Sequence, residues 1–317
     1  MKALITGISG FAGSHLAEFL INKGYEVFGT FYDKSTFSNL NGFIDKITLF
    51  QCDIRNYDNL KKIIVKVKPD EIYHLAAISF IPTSFENPKL TFDTNFYGTL
   101  NLYESVKELK ISPKILFVGS ADEYGLIKES DLPIKEDCPL KPLNPYSISK
   151  ASADFLSYFY FRNYNLNVIR VRPFNHIGPR QSPEFVCSDF SKQIVEIERG
   201  LKEPIIKVGN LEAKRDFTDA RDMVRAYWLA IQKGELGEVY NICSENVVSI
   251  KDLLNKLLSM SKKNIEIRKD FKKFRNLDIP LFLGDSKKFK KQTSWKQKFL
   301  FRKTLQDILN YWRNKIT

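Results

Sequence analysis

Tyr146 and Lys150 form the residue pair with the clearest potential for chemistry in this sequence. They stand four positions apart in the segment PYSISK at 145–150, and positions four apart on a helix share a face. A phenol with an unperturbed pKa of about 10 is a poor catalyst near neutrality, but a nearby ammonium favours the phenolate and lowers that pKa. The pair is therefore predicted to pass protons at working pH. The same spacing is common on solvated helices, so the N-terminal segment decides its meaning.

The N-terminus reads as a strand at 2–6, a glycine turn at 7–13 and a helix from 14 to 23. In the turn GISGFAG, Gly7 permits the tight bend, Gly10 lets the backbone approach a pyrophosphate, and Gly13 allows close packing of helix on strand. The N–H groups that begin the helix can bind the anion. An ordinary tight turn is the alternative. The position of the GISGFAG segment between an apolar strand and an apolar-periodic helix favours a dinucleotide-binding unit over this alternative.

Composition is typical of an enzyme with a large core. The chain has 317 residues, of which 43% are hydrophobic, enough for one nucleotide-binding domain and a smaller second domain. No segment resembles a membrane span or a signal peptide, because the first apolar run is short and leads directly into the glycine turn. A cytoplasmic protein without a membrane partner is expected.

Charge and cysteines exclude several other classes. The net charge of +12 comes mainly from lysines near the C-terminus, such as the pairs at 272–273 and 287–288, without the arginine and aromatic pattern that stacks on nucleic acid. A solvated face that helps steer an anionic substrate is predicted, with no specific nucleic-acid partner. The four cysteines are widely spaced, so reduced, mostly buried thiols are expected, with no disulfide framework and no metal site.

Strand-like apolar runs alternate with helical segments along the chain. Beyond 2–6, the predicted strands are 25–30, 47–52, 71–75, 114–119, 167–171 and 239–243. This alternation predicts the α/β class, a Rossmann-like doubly wound parallel sheet with its ligand crevice at the carboxyl ends of the strands. The predicted division is a dinucleotide-binding domain at 1–172, to which 216–246 returns, and a smaller substrate-binding domain from 173–215 and 247–317.

Several polar residues fall at those strand ends. Asp33 follows the second strand and is placed to accept hydrogen bonds from an adenosine ribose. No arginine pair accompanies it to hold a 2′-phosphate, which favours NAD(H) over NADP(H), although Lys34 and the flexible stretch after it keep NADP(H) open. His74 is interpreted as a hydrogen-bonded core histidine. Ser120, at the end of the fifth strand, can donate a hydrogen bond to a substrate oxygen that Tyr146 also contacts.

Taken together, the glycine turn, DI at 53–54, HLAA at 74–77, GS at 119–120, Tyr146 with Lys150, and RPFN at 172–175 resemble the extended short-chain dehydrogenase/reductases, which modify nucleotide sugars. The likeness covers essentially the whole chain. It implies that Ser120, Tyr146 and Lys150 form the catalytic group. The cofactor-binding residues that it implies are Gly7, Ser9, Gly10, Phe11, Ala12, Gly13, Asp33, Asp53, Ile54, Leu75, Ala76, Ala77, Tyr146 and Lys150.

The second half of the chain is similar to the GDP-mannose branch of that family. The segments are FNHIGPRQ at 174–181, FV at 185–186, DFSKQI at 189–194, VGNLEAKRDF at 208–217 and FRNLDIP at 274–280. The resemblance implies a GDP-sugar substrate, with Lys192, Arg215 and Arg275 facing its diphosphate and Asp278 holding the guanosine ribose. Asn276 replaces the proline usual in that last segment. The full set of implied substrate-binding residues is Ser79, Asn175, Val186, Lys192, Asn210, Arg215, Arg275 and Asp278.

Two activities dominate that branch, 4,6-dehydration of GDP-mannose and 4-reduction of the keto sugar that results. Dehydration requires a carboxylate base beside the tyrosine, and the dehydratases carry a glutamate where this chain has the shorter Asp122. The segment between the second and third strands is also short. Both departures favour NAD(P)H-dependent reduction of GDP-4-keto-6-deoxy-D-mannose to GDP-D-rhamnose, a precursor for surface polysaccharide. A GDP-mannose or GDP-heptose dehydratase, with Asp122 as the base, and a dinucleotide-binding sensor remain the alternatives.

The family resemblance also implies a homodimer built from two helices, here 94–109 and 146–164. Their apolar positions are numerous enough to bury one face on the sheet and another between subunits. These positions include Leu100, Leu102, Phe155, Leu156, Tyr158 and Phe159.

Overall fold

The fold is taken from a computed structural model, which describes residues 1–271 and 279–316. The strands within these ranges are β1 Lys2–Thr6, β2 Glu26–Phe31, β3 Ile47–Gln51, β4 Glu71–His74, β5 Lys114–Val118, β6 Val168–Pro173, β7 Asn175–Ile177, β8 Ile205–Val208, β9 Lys214–Asp219, β10 Val239–Ile242, β11 Val247–Ser249, β12 Glu266–Lys269 and β13 Leu281–Phe282. The helices are α1 Phe11–Asn22, α2 Tyr57–Val67, α3 Ile81–Glu86, α4 Pro88–Phe92, α5 Gly98–Glu108, α6 Pro145–Tyr164, α7 Val186–Glu198, α8 Ala220–Lys233, α9 Ile250–Leu258, α10 Lys287–Thr293 and α11 Phe301–Lys315.

In the described part of the chain, seven strands form one large parallel sheet in the order β10-β6-β5-β4-β1-β2-β3. From β1 the chain builds outward first through β2 and β3, then through β4, β5 and β6 on the other side. The direction reverses beside β1, and in such a sheet the ligand crevice opens at this reversal. The doubly wound prediction is confirmed, and each predicted strand lies within two residues of the observed one at either end.

Helices cover both faces of this sheet, as the apolar periodicity requires. On one face, α1 and α8 bury apolar side chains against the strands, including Leu16 and Met223. On the other face, α2, α5 and α6 do the same with Leu60, Leu102 and Tyr160, among others. Leu102 is therefore one of the apolar positions of α5 that pack on the sheet.

The smaller strands that follow β6 in the chain form a second group of elements, separate from the large sheet. Strand β9 pairs with β7, β11 and β13, and β8 pairs with β12. Helices α7, α9 and α11 pack their apolar stripes together around Ile194, Leu254 and Ile308. Because α8 and β10 rejoin the large sheet between these elements, the chain crosses repeatedly between the two structural parts, and residues distant in sequence meet at the crevice.

A search of the described helices for a segment long and apolar enough to span a bilayer finds none.

Candidate active site

A large cavity, of about 1570 Å³, lies along the carboxyl ends of the strands. All fourteen residues predicted to bind the cofactor line this cavity, as do Ser120 and Asp122. Five of the eight residues predicted to bind substrate also line it, namely Ser79, Asn175, Val186, Asn210 and Arg215. The topology therefore gathers most of the predicted site residues in one place, and their individual roles remain predictions.

The glycine turn has the geometry that close backbone approach demands. Gly7 adopts a φ of +72°, and a Cβ at this position would lie 2.9 Å from the Cα atom of Ala76. At Gly13 a Cβ would lie 2.2 Å from the carbonyl oxygen of Gly7, so no larger residue fits. Helix α1 begins at Phe11 without a side-chain cap, which leaves N–H groups of its first turn available to an anion. These features fit a dinucleotide pyrophosphate.

Side chains from the loop after β2 fix this turn in place. The Ser9 hydroxyl accepts a hydrogen bond from the Thr36 hydroxyl at 2.7 Å, and the Ser9 carbonyl accepts one from the Asn39 amide at 3.0 Å. In the same loop, Asp33 is exposed and accepts the backbone N–H of Ser35 at 2.7 Å. Hydrogen bonds from Ser35 lower the pKa of Asp33, so its carboxylate is charged at the rim of the cavity.

The adjoining wall carries an ion pair that the sequence analysis missed. Arg55 lines the cavity and holds Asp53, with Nη2 at 2.5 Å from Oδ2. The Arg55 hydrogen bond is the main cause that lowers the pKa of Asp53. The signal for Arg55 was its position directly after the predicted DI motif. A cation is thus present in the half of the cavity where the sequence analysis found no arginine pair.

His74 is a buried structural residue, as interpreted from the sequence. Its ring nitrogens contact the hydroxyls of Thr6 at 2.8 Å and Thr99 at 3.0 Å. Burial, reinforced by the positive charge of Lys150, lowers the pKa of His74 to about 3. The Thr6 hydroxyl also accepts the N–H groups of Leu75 and Ala76, each at 3.1 Å, so this neutral histidine helps to fix the cavity floor.

Tyr146 and Lys150 lie on the first two turns of α6. Asn144 caps this helix by accepting the Ser147 N–H at 2.8 Å, and Pro145 occupies the first helical position, an arrangement that defines the helix start firmly. The Lys150 ammonium donates to the Val118 carbonyl at 2.5 Å and lies 5.1 Å from the centre of the Phe117 ring. Burial lowers the pKa of Lys150 to about 8.

The expected lowering of the Tyr146 pKa is wrong for this structure. Tyr146 is 8% exposed, and burial raises its pKa, with a further rise from the charge of Asp122. A hydrogen bond with Ser120 opposes the rise without cancelling it. Desolvation disfavours the phenolate more strongly than the neighbouring groups favour it, so Tyr146 is a protonated phenol that can donate a proton.

Ser120 and Asp122 are positioned by a short turn after β5. The Ser120 hydroxyl accepts the backbone N–H of Asp122 at 3.1 Å, and the Glu123 carboxyl accepts the backbone N–H of Ser120 at 2.7 Å. This reciprocal capping box holds Ser120 within hydrogen-bonding reach of Tyr146. The influence of Asp122 on the Tyr146 pKa shows that its carboxylate lies on the same side of the site.

Lys192 is the predicted substrate residue that the described structure does not bring to the cavity. In α7, Val186, Asp189 and Phe190 line the cavity, whereas Lys192 does not. The Lys192 ammonium instead lies 3.6 Å from Glu196 and 5.9 Å from the centre of the Trp312 ring. Arg275 and Asp278 lie outside the described residues.

Phe80, Phe185 and Tyr227 are among the aromatic residues that line the cavity and that the sequence analysis did not select. Phe80 and Phe185 meet edge to face with ring centres 5.8 Å apart, so an aromatic contact joins the loop after β4 to the loop before α7. Tyr227, in α8, is fully buried, and its hydroxyl has no hydrogen-bond partner among the described residues. Each follows or lies within an apolar run, which conceals it in the sequence.

Comparison with known proteins places this architecture in a family. The profile of the family described as GDP-mannose 4,6 dehydratase matches residues 4–308. The chain is 30% identical to GDP-6-deoxy-D-mannose reductase of Pseudomonas aeruginosa, covering 99% of this chain and 98% of the relative. It is 32% identical to human GDP-mannose 4,6 dehydratase, covering 97% and 90% respectively.

Solved structures agree. RMD from Pseudomonas aeruginosa complexed with NADPH has a TM-score of 0.88 at 30% identity, covering 99% of both chains. A dTDP-glucose 4,6-dehydratase from Bacillus anthracis in complex with NAD has a TM-score of 0.84 at 27% identity, covering 100% of this chain and 97% of that one. Neighbours with either dinucleotide support NAD(P)(H) binding without distinguishing the two cofactors. The chain belongs to the GDP-mannose 4,6-dehydratase family, whose members are NAD(P)-dependent enzymes of the extended short-chain dehydrogenase/reductase class.

Proposed function

We propose that the protein is a reductase that converts GDP-4-keto-6-deoxy-D-mannose to GDP-D-rhamnose with NAD(P)H. The observation that carries this proposal is the pairing of a protonated Tyr146 with the short side chain of Asp122. Reduction needs an acid that gives one proton to a forming alkoxide, and burial keeps Tyr146 in that form. It does not need the longer carboxylate base that 4,6-dehydration uses at position 122.

In the proposed reaction, each catalytic residue acts on the carbonyl oxygen at carbon 4. The Ser120 hydroxyl donates a hydrogen bond to this oxygen and polarises the carbonyl. Gly7, Gly10, Gly13 and Lys150 would hold a reduced nicotinamide dinucleotide, which would supply the hydride for carbon 4. Tyr146 donates its proton to the same oxygen, which completes the new hydroxyl group, and the ammonium of Lys150 stabilises the phenolate left behind. Arg215, which lines the other end of the cavity, would bind the diphosphate.

The length of this chain relative to its curated relatives also supports the reductase. The chain covers 98% of the reductase from Pseudomonas aeruginosa, but only 90% of the human dehydratase. This agrees with the short segment between β2 and β3. The dehydratase is the second candidate, since the Asp122 charge acts on Tyr146 and the identity to the human dehydratase is slightly higher.

Two incubations separate these activities. With GDP-4-keto-6-deoxy-D-mannose and NADPH or NADH, the purified protein should oxidise the reduced cofactor and form a 6-deoxy sugar nucleotide. With GDP-mannose and no added reductant it should form no keto sugar. Turnover of GDP-mannose would overturn the reductase assignment. Dinucleotide binding without turnover of either sugar would favour the sensor alternative.

The variant Asp122→Asn provides a second, independent test. A reductase should keep most of its activity, because the amide is nearly the same size and reduction uses no base at this position. A dehydratase should lose on the order of 100-fold or more, as expected when a general base is removed. A loss of that size in the keto-sugar assay would contradict the proposed role of Asp122.

We also propose that two copies of the chain pair through α6 and the neighbouring helix α5. Phe155 is 62% exposed, and Tyr158 and Phe159 are each 45% exposed, so three large apolar side chains lie on one surface of α6. Contiguous exposed apolar surface of this kind is typical of an interface. The double variant Phe155→Glu/Phe159→Glu should sediment as a monomer, whereas Leu201→Glu, at another exposed leucine, should sediment like the wild type. A monomeric wild type would overturn the dimer.

A further inference from the structure

Two carboxyl groups lie buried directly behind the catalytic residues, and neither belongs to the family's catalytic group. Glu123 and Asp154 are both fully buried. The Glu123 carboxyl contacts the catalytic turn, where Oε1 accepts the Ser120 N–H at 2.7 Å. Asp154 stands one helical turn beyond Lys150 in α6. The two carboxyl groups interact with each other, and both lie within reach of the same Arg172 Nε atom.

Two arginines from β6 hold this pair. The Arg172 Nε atom lies 2.8 Å from Asp154 Oδ2 and 3.1 Å from Glu123 Oε2. Arg170 Nη1 lies 2.5 Å from Asp154 Oδ1. The charged or titratable groups that interact with the pair are Arg170 and Arg172 in β6, Lys150 and Tyr146 in α6, Tyr124 in the turn after β5, and Tyr103 in α5.

Space for Glu123 at this position depends on a glycine. A Cβ at Gly119 would lie 2.4 Å from Glu123 Oε1 and 3.1 Å from the Val171 carbonyl oxygen. Gly119 thus admits the Glu123 side chain beneath the turn. Any other residue there would displace the carboxyl from the Ser120 N–H.

Two touching carboxyl groups in a dry site do not both ionise, because desolvation and mutual repulsion favour one retained proton. The directions of the two pKa shifts identify which carboxyl group holds the proton. Burial and the Asp154 charge raise the pKa of Glu123 well above its ordinary range, whereas Arg172 and Arg170 outweigh burial and lower the pKa of Asp154. The pair then carries one negative charge beside two arginines.

We infer that Glu123 and Asp154 share one proton, held on Glu123, and that Glu123 is a positioning residue for Ser120. Its protonated carboxyl donates to Asp154 through one oxygen and accepts the Ser120 N–H through the other, so it links the catalytic turn to α6. Because the pair carries a single negative charge, the surroundings of Lys150 remain net positive, which stabilises the negative charge that forms on Tyr146 and on the substrate oxygen. The kinetic part of this inference rests on the proposed reductase function.

The proton itself is tested without any activity. An infrared difference spectrum of wild type minus Glu123→Gln, at about pH 7 where an ordinary glutamate is ionised, should contain the carbonyl band of a protonated carboxylic acid. The amide of Glu123→Gln can keep the Ser120 contact and donate to Asp154, so the fold should be retained. A difference spectrum with a carboxylate band in its place would overturn the inference, whatever the enzyme's activity.

Kinetics test the positioning role. Glu123→Leu, which removes the acceptor for Ser120, should lower kcat by about 100-fold, as for a misplacement of about 1 Å, with a much smaller change in KM for the dinucleotide. Glu123→Gln should recover most of that loss and flatten the alkaline side of the pH profile of kcat. Glu136→Gln is the matched control, since this partly buried glutamate accepts the Asn241 N–H and does not touch Ser120. Equal losses in Glu123→Gln and Glu123→Leu would show that a charged Glu123 is required and would overturn the shared proton.

Discussion

The cofactor side and the substrate side of the cavity are built in different ways. On the cofactor side, contacts come from backbone and short loops at the ends of adjacent strands, such as the turn at Gly7 and the floor at Ala76. On the substrate side, residues such as Asn175 and Arg215 come from separate small strands, and the chain returns to the large sheet between them and β11. The first arrangement depends on local geometry, whereas the second depends on how distant segments pack.

This difference explains where each side tolerates change. A backbone site binds through N–H groups that side-chain substitution leaves in place, so its weak points are the glycines that shape it. A side-chain site loses a charge or a hydrogen bond outright with each substitution. The proposed catalytic residues stand between the two, because Tyr146 lies on a helix that packs on the large sheet but is proposed to act on the substrate.

Tyr146→Phe should separate the two sides most strongly. Removing the acid should lower kcat by about 10²–10⁴-fold, while dinucleotide affinity, measured by fluorescence titration, should change little. Tyr103→Phe is the matched control. This buried tyrosine does not line the cavity, and its hydroxyl is hydrogen-bonded to the Ser157 hydroxyl at 2.7 Å. A parallel loss of dinucleotide affinity in Tyr146→Phe would mean that the tyrosine serves the cofactor side instead.

Arg215→Ala and Lys192→Ala test the substrate side directly. Arg215 lines the cavity, and its Nη1 atom donates to the Ile279 carbonyl at 2.6 Å, which fixes the guanidinium beside the proposed diphosphate position. Losing a charge-assisted contact should raise KM for the GDP-sugar by about 10- to 100-fold. Lys192→Ala should change KM less than about threefold, since a pair with Glu196 at the surface is worth little. A larger effect at Lys192 than at Arg215 would restore the placement expected from the sequence.

The sequence was most informative where local patterns determine structure. Strand positions and the glycine turn follow from periodicity and short-range chemistry, so the large sheet and the motif residues that line the cavity were predictable, whereas Arg55, Phe80, Phe185 and Tyr227 were not. The sequence analysis expected Lys192 at the cavity, but it does not line the cavity in the described structure. A motif gives the type of a residue and not the side of the helix on which it lies. The direction of the Tyr146 pKa was missed because desolvation depends on burial from several elements at once, and one neighbouring lysine does not reveal it.

A pH experiment examines the rigidity of the cofactor side. His15, in α1, is 7% exposed and contacts the Pro179 carbonyl at 2.8 Å, and burial, reinforced by the charge of Arg180, lowers its pKa to about 4. Between about pH 6.5 and pH 4, the unfolded chain binds a proton at His15 that the folded protein does not, so stability falls as the pH falls. From pH 6.5 to pH 5 the wild type should lose about 2 kcal/mol more unfolding free energy than His15→Gln, by about 1.4 kcal/mol per pH unit.

Urea titrations at the two pH values provide that comparison, because Gln can still donate to the Pro179 carbonyl but does not titrate. Other buried groups titrate equally in both proteins and cancel in the difference. Parallel losses of stability would mean that His15 becomes protonated in the folded state without cost, and that α1 is less tightly packed than the structure indicates.

The smallest expected effect concerns the choice between NAD(H) and NADP(H). Asp33 is charged and exposed at the cavity rim, so its repulsion of a 2′-phosphate acts through solvent and is worth about 1 kcal/mol. Asp33→Ser should therefore shift the ratio of kcat/KM values toward NADPH by about fivefold, whereas Asp58→Ser, at an exposed acid outside the cavity lining, should leave it unchanged. The positive charge of Arg55 would attract a 2′-phosphate and so oppose the effect of Asp33. This attraction is only partial, since the Arg55 guanidinium is already paired with Asp53. An unchanged ratio in Asp33→Ser would mean that side chains do not set cofactor preference in the loop after β2, and that even this part of the cofactor side binds through its backbone.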